Sequence, residues 1–553
     1  MANPENEMKT IKKYVMNNVI YKLVIFLFIL FYSCTTDWLD VAPKDALQES
    51  IFYKTEEHAV MAVTSVYELL HSPRLYGRDY FILLDIASDD CVGENPGMPF
   101  DNFTFLTTDN RIEEIYVHAL RGIFRANLAM EKIPPIEMDE DLKKRLIAEC
   151  KVLRAHFNWI IVTAYGKGQL VSRVLLTSEL KQPGVEDIME FYDQIEQDLL
   201  EAIPDLPESY EGMDVGRVTR GTAIGWLGKT YLYRACYDEN PSQNYWQKAA
   251  EQFEAIINSG NYKLIEPLSQ DSAGYFNAYM SVFTELPYPN GYGGVTTAQG
   301  GENNEESLFE VQFSSNTLWN PYLHWGATTS HRAQVLNSNG FASGWRNMVP
   351  TQDFVDEFES PGPAGLPYDV RKYASVWQKG EICDLREGKD LYMFPFDPST
   401  MALHTGYIVK KTIFPIHYDN QNIDFPNNWR ILRYADVLLM YAEALANGAN
   451  SSLGETPASL LNQIRSRVGM GPVEDLMARR GWDIRQAIMH ERRVEMGFEI
   501  QRFLDLVRWN KSGWIADLTE YMPDFTPGKN EVFPIPQREI DLNGGLLKQN
   551  PGY

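Results

Sequence analysis

The chain has 553 residues, 44% of them apolar, and its 50 basic against 75 acidic side chains give a formal charge of −25. That size and apolar content fit one large globular unit or two to three ordinary ones, and the acidic balance argues against nucleic-acid binding, which needs a basic footprint. The five cysteines contain no C-x-x-C pair and no metal-ligand spacing.

In chain order, Lys9, Lys12, Lys13 and Lys22 precede a run from Leu23 to Phe31 in which every residue is apolar. A basic region followed by a short apolar one reads as an export signal. The run is too short for a membrane helix, which takes about 20 residues. Ser33 then stands immediately before Cys34, which resembles a bacterial lipoprotein box, although Tyr32 is bulkier than that box usually has. Cleavage there removes residues 1–33 and leaves Cys34 as the lipidated N-terminus; an ordinary signal peptide with a chance cysteine is the alternative.

Residues 34–265 read as helical. Thr55 is placed to cap a helix to Leu70, with Glu56 and Glu57 in its first turn. From Asp85 to Phe105 the pattern turns irregular, broken by Gly93, Pro96, Gly97 and Pro99, and it mixes aromatics with amides, Phe100 and Asn102 among them. Helices are then expected at Arg111 to Lys132, Leu142 to Tyr165 and Glu186 to Ile203, where apolar residues recur at helical spacing. Arg154, inside the second of these, is read as a charge paired within a helix interface. Leu227, Gly228 and Tyr231, followed by Ala249, Phe253 and Ile256, reproduce the offsets of a tetratricopeptide repeat with a longer link between its two helices. Cys150 and Cys236 fall in apolar helical stretches and read as buried thiols; whether Cys91, Cys150, Cys236 and Cys383 pair is left open.

Residues 266–428 are rich in Gly and Pro, and helical periodicity fades except around Asp353 to Phe358. Glu306 to Phe313 and Tyr407 to Thr412 read as strands. Between them Trp319, Trp325 and Trp345 follow Tyr288 and Tyr292 among several asparagines, in polar loops rather than on a repeating apolar face. Flat rings cover the apolar faces of sugars and amides satisfy their hydroxyls, so this composition suits carbohydrate. The alternative is that the rings plug a minor core built by the loops.

Residues 429–553 return to helix. The stretch from Trp429 to Gly469 reads as a helical hairpin: Asp436 is expected to cap an apolar helix ending near Gly448, and Thr456-Pro457 to start the next. Such a hairpin must stack on others to bury both apolar faces. No G-x-S-x-G, H-E-x-x-H or G-x-x-x-x-G-K motif is present, and the nine histidines make no short ligand spacing. Carboxylate pairs decide nothing in a chain with 75 acids.

The segment from Leu432 through Arg433-Tyr434-Ala435-Asp436 to Tyr441-Ala442-Glu443-Ala444 resembles the signature of the SusD/RagB family. Ile464-Arg465-Ser466-Arg467, Glu491-Arg492-Arg493-Val494-Glu495, Arg502, Asp505 and Arg508-Trp509, Phe533-Pro534-Ile535-Pro536 and Asn550-Pro551-Gly552-Tyr553 follow in the family's order. Upstream, Asp85 to Asp90, Arg125-Ala126-Asn127, Leu153-Arg154-Ala155, Asn304 to Phe309 and Tyr368 to Arg371 match as well. One departure is Lys167 to Val171, where the family has an Asp-Val-Pro-Leu-like run.

The resemblance implies a mostly α fold, with tetratricopeptide-like hairpins as scaffold, a few short strands and a loop-rich ligand face. The divisions it implies are residues 34–265 as the N-terminal helical part, 266–428 as the ligand-binding part and 429–553 as the signature part. It further implies a non-catalytic outer-membrane lipoprotein, exposed at the cell surface, that captures oligosaccharides for a TonB-dependent, SusC-like transporter. No cofactor, metal or nucleic acid is expected. Peptides or glycopeptides are the alternative cargo, and a glycoside hydrolase or a plain protein-interaction repeat is a more distant reading. In this layout Trp319, Trp325, Trp345, Tyr292, Tyr288, Phe100 and Asn102 are the candidate ligand residues, whereas Asp436, Glu443, Glu491, Arg493, Arg502 and Asp505 are scaffold ions. Whether the loops hold calcium, which glycan is bound and which transporter is the partner stay open.

Overall fold

The computed structural model describes residues 52–93, 98–238, 240–284, 300–313, 348–378, 405–411 and 428–553, with short pieces at 8, 12–14, 16–19, 22, 288–289 and 295–296. Cys34, Tyr292, Trp319, Trp325, Trp345 and Cys383 lie outside the described residues.

Thr55 caps α1 (Glu56–Glu68) as its position in the sequence implies, its hydroxyl accepting from the His58 N–H. The fully buried α2 (Asp79–Ile86) leads through Asp89 and Asp90 into β1 (Cys91–Gly93) and the one-turn α3 (Met98–Asp101). Next come α4 (Asn110–Lys132) and α5 (Glu140–Tyr165), capped by Asp109 and Asp139. These two helices meet where Gly122 faces Phe157: a Cβ on that glycine would lie 2.4 Å from the ring. Packed on α5 is α6 (Met189–Ala202), and across that interface Arg154 donates to Asp198 at 2.8 Å, both side chains buried, so this arginine is structural.

α7 (Arg220–Tyr237) and α8 (Tyr245–Ser259) form the hairpin with tetratricopeptide offsets. The offsets have a physical basis, because the Phe253 ring seats against Gly228, where a Cβ would come within 2.5 Å. Burying such a ring contributes roughly 1.5–3 kcal/mol. From α4 to α8 each helix packs on the next, giving a continuous stack. After it, α9 (Ser272–Met280) builds a smaller apolar cluster in which Phe276, Tyr279 and Phe283 meet Val370 and Tyr373.

The middle of the chain supplies β2 (Tyr288–Pro289), β3 (Val295–Thr296), β4 (Ser307–Val311), β5 (Met348–Pro350), α10 (Gln352–Glu357), α11 (Val370–Ser375), β6 (Val376–Trp377), β7 (Ile408–Val409) and β8 (Trp429–Arg433). Among the described residues these strands make four two-stranded antiparallel sheets, β1–β5, β2–β3, β4–β8 and β6–β7. The strand expected at Tyr407 to Thr412 is present but only two residues long. Leu308 and Glu310 are buried together with Phe309 and Val311, so β4 is covered on both faces rather than half-exposed.

The helix expected to follow Trp429 differs at its start. Trp429–Arg433 is the strand β8, with Ser307 opposite Arg433, and α12 (Tyr434–Ala446) begins directly after it with no side-chain cap. Asp436 does not cap; it turns inward to Arg492 at 2.6 Å and Lys229 at 3.2 Å, and two cationic donors hold a carboxylate more strongly than one backbone N–H. Eleven consecutive residues of α12, Tyr434 to Ala444, are buried, as its apolar circumference requires. The remaining helices are α13 (Pro457–Arg467), started by Thr456 and Pro457 as expected, α14 (Val473–Arg480), α15 (Ile484–Met496), α16 (Arg502–Lys511) and α17 (Gln537–Asn543).

The last residues return to the N-terminal hairpins: Phe533 N–H donates to Ala164 O at 2.7 Å and Asn550 Nδ2 to Tyr165 O at 2.8 Å. The turn at Gly166 to Gln169, where the sequence departs from the family run, is held by Val185 N–H on Gly168 O and by the Tyr116 hydroxyl on Gln169 N–H. Cys91, Cys150 and Cys236 are buried free thiols.

Candidate functional site

The side chains that position the candidate face come from α15, whose residues 491–495 point in several directions. Glu491 and Glu495, one turn apart, share Arg371 at 2.5 and 3.1 Å; Glu491 also takes Arg465 at 2.9 Å. Glu495 is further paired with Arg433 at 2.7 Å and with Arg467. Arg433 and Arg467 in turn hold Glu306, at the foot of β4, at 2.7 and 2.9 Å. Burial works against the Glu495 charge, but Arg467, Arg433 and Arg371 outweigh it and keep the carboxyl well below its usual range. Lys411 contacts Glu499 at 2.5 Å; burial pulls this ammonium down to about 8 despite that partner. Glu443 pairs with Arg508 and accepts from the Trp509 indole at 3.1 Å. These are buried ions whose cost is offset only while every partner stays in place.

The same helix reaches the root of the candidate loops. Arg493 contacts Asp90 at 2.8 Å and Asp89 at 3.1 Å, and Arg502 forks onto Asp89 at 2.7 and 2.8 Å. For Asp89, burial is outweighed by Arg502 and Arg493, so its carboxyl lies below the ordinary value. Thr351 then ties β5 to the same place, its N–H on Asp90 O at 2.9 Å and its hydroxyl on Asp89 O at 2.8 Å. In register, Gly93 faces Met348. The chain leading to Phe100 and Asn102 and the chain arriving just after Trp345 therefore leave one two-stranded sheet clamped by two arginines. The other end of the Trp319 segment is rooted where Phe313 N–H donates to Asn428 Oδ1 at 2.8 Å.

Of the candidate ligand residues, Trp319, Trp325, Trp345, Tyr292 and the lipidation candidate Cys34 fall outside the described residues. The Tyr288 backbone pairs with Thr296 in β2–β3. Asn102 is half-buried and its Oδ1 accepts from the Thr104 hydroxyl at 2.6 Å. Phe100 departs from the expectation of an open ring: it is 0% exposed, stacked on Phe105 at 5.7 Å and covered by the Arg111 guanidinium at 5.6 Å. Burial of a phenyl ring beside two neighbours is worth more than leaving it open to water.

Asp89, Asp90, Glu306, Glu359 and Asp369 were not foreseen as partners of the signature arginines. Arg502 and Asp89 are 413 residues apart, and no local spacing can join them. Among the described residues no group of three or more His, Cys, Asp or Glu is arranged to hold a metal ion, and no helix is long and apolar enough to cross a membrane.

A helical-hairpin scaffold whose buried ions clamp the roots of long aromatic-rich segments defines a class of binding protein. The family model described as SusD family matches residues 305–553, and a second, described as starch-binding associating with outer membrane, matches residues 37–232. The chain belongs to the SusD/RagB family. It is similar to SusD-like protein P2 of Formosa agariphila, with 23% identity covering 96% of this chain and 99% of that one. Among solved structures it is similar to a SusD-like protein from Bacteroides fragilis, at TM-score 0.72 and 24% identity over 93% of this chain and 100% of that one. A laminarin-binding SusD-like protein matches at TM-score 0.66 and 26% identity, over 91% and 100% of the two chains.

Proposed function

We propose that this protein is a non-catalytic cell-surface lipoprotein that captures oligosaccharides and delivers them to a TonB-dependent, SusC-like β-barrel transporter. The observation that carries the reading is the match along nearly the whole chain to a SusD-like protein that binds laminarin, a glycan. The family model covering residues 37–232 is described as starch-binding and associated with the outer membrane, which supports the location. The export signal and Cys34 supply the anchor, since more than one acyl chain on an N-terminal cysteine holds a protein stably at a membrane.

Capture falls to Trp319, Trp325, Trp345, Tyr288 and Tyr292, whose rings stack on pyranose faces, with Asn102 contributing an amide. Phe100 is buried against Phe105 and takes no part in capture.

Affinity electrophoresis of the full chain in detergent through gels containing laminarin, starch, xylan, mannan or mucin glycans, with digested protein as a soluble competitor, tests the reading. Retardation by one glycan class, unaffected by peptides, is expected. Free migration in every gel together with calorimetric heat from peptides would overturn the glycan cargo and transfer the same import role to peptides.

A further inference from the structure

A pocket of about 400 Å3 lies between the hairpin stack and β4, the strand whose chain leads on through Phe313 toward Trp319. Its volume is that of a small-ligand site. The walls come from three separate stretches, represented by Glu208 and Tyr210, Asn261 and Tyr262, and Asn303 and Glu310.

The wall offers no uncompensated charge. Glu208 pairs with Arg220 at 2.7 Å, Arg217 with Glu149 at 2.8 Å and Glu305 with Lys263 at 2.7 Å, while Glu310 lies 3.4 Å from Arg430. A phosphate, a carboxylate or an amine would find no free counter-ion, so the fitting ligand is uncharged. Both tyrosine hydroxyls are engaged by the protein, Tyr262 with Thr219 at 3.1 Å and Tyr210 with Val218 O at 3.3 Å, which leaves the phenyl rings as apolar wall. Tyr262 is seated by Gly221, where a Cβ would come within 2.2 Å of its hydroxyl, and Gly216, in the left-handed region at φ +92°, packs on Gln312. The wall is preformed.

Glu310 is 1% exposed; its Oε2 accepts from Asn303 N–H at 3.1 Å and Asn428 Nδ2 at 3.0 Å, and its Oε1 faces Arg430 Nε at 3.4 Å, so this carboxylate is spent within the wall. Apolar rings and exposed amides at the rim are what a hydroxylated ring requires.

We propose that this pocket is a second saccharide subsite, taking one or a few uncharged sugar units against the Tyr210 and Tyr262 rings; it rests on the glycan reading above. The test is saturation-transfer NMR of the full chain with methyl β-glucoside, methyl β-galactoside and methyl α-mannoside as probes, run beside polysaccharide affinity electrophoresis. At least one probe is expected to show transfer. Asn261→Trp, an exposed rim change that fills the mouth, is expected to weaken that probe about tenfold or more, about 1.4 kcal/mol, and to leave gel retardation in place. Ser209→Trp, exposed on another wall stretch beside Glu208, carries the same expectation and serves if the first variant unfolds. The combined Trp319→Ala, Trp325→Ala and Trp345→Ala variant is expected to keep the probe signal.

Transfer unchanged by both rim variants, or lost in the triple variant, would overturn the subsite. No transfer from any probe, with gel retardation intact, would overturn it while sparing the glycan reading. Silence in both assays would remove both.

Discussion

In the hairpin stack from Asn110 to Ser259 a buried ion pair, Arg154 with Asp198, accompanies helices that approach where a glycine receives a ring, Gly122 under Phe157 and Gly228 under Phe253, whereas the helices from Tyr434 to Lys511 meet through a network of carboxylates and guanidinium groups withdrawn from water. Shape limits the first region and charge balance the second. An apolar interface tolerates small shifts, but a guanidinium that loses its carboxylate in the interior finds no substitute. The ionic region is also the one that grips β1 and β5 through Arg493 and Arg502, so the roots of the candidate ligand segments are tied to the less forgiving part of the molecule.

The largest effect should come from Glu495→Ala, which takes a shared carboxylate from three buried guanidinium groups, Arg371, Arg433 and Arg467, and leaves them to their other partners, Glu491 and Glu306 among them. A loss of about 3–5 kcal/mol in urea unfolding, or failure to fold, is expected; a variant within about 1 kcal/mol of the parent would break the contrast, since surface changes lie in that range. Gly122→Val should cost about 1–3 kcal/mol, because the new methyl groups meet the Phe157 ring across a packed interface.

A smaller effect is confined to the alkaline side. Burial lowers the His490 pKa, but Glu357 at 2.5 Å and Glu359 at 3.8 Å outweigh it and raise the imidazole from 6.5 to about 9. A raised folded value means the stabilisation is complete below pH 6.5 and is lost as the pH rises through about 9. His490→Gln should therefore show a shallower decline than the parent across that window, read as the difference between two denaturation series; parallel curves would contradict the assignment. Smallest of all is Lys144→Ala. Its partner Asp141 is 3.4 Å away and 94% exposed, so the change should be at most about 0.5 kcal/mol.

The hairpins were largely legible because capping residues and apolar spacing are local signals. Thr55, Thr456 and Pro457 start their helices where read, and the Gly228 to Phe253 offset follows from one ring meeting one glycine. Asp436 misled for the same reason: its place before an apolar run resembles a cap, but Arg492 and Lys229 arrive from distant sequence and take the carboxylate inward. At the candidate site the scaffold ions were readable as ions but not their partners, and Phe100, an aromatic among loop breakers, proved to be stacked on Phe105. The pocket beside Glu310 left no motif, since its walls are three short polar stretches brought together only by folding.

The claim that the scaffold holds while the aromatic segments grasp is tested most directly by joining two readouts on one variant, Trp319→Ala with Trp325→Ala and Trp345→Ala. Affinity electrophoresis against the glycan that retards the parent should show free migration, while thermal unfolding of the same sample stays close to the parent's. Retained binding would contradict the role of the rings, and a collapsed unfolding temperature would instead make them part of a minor core.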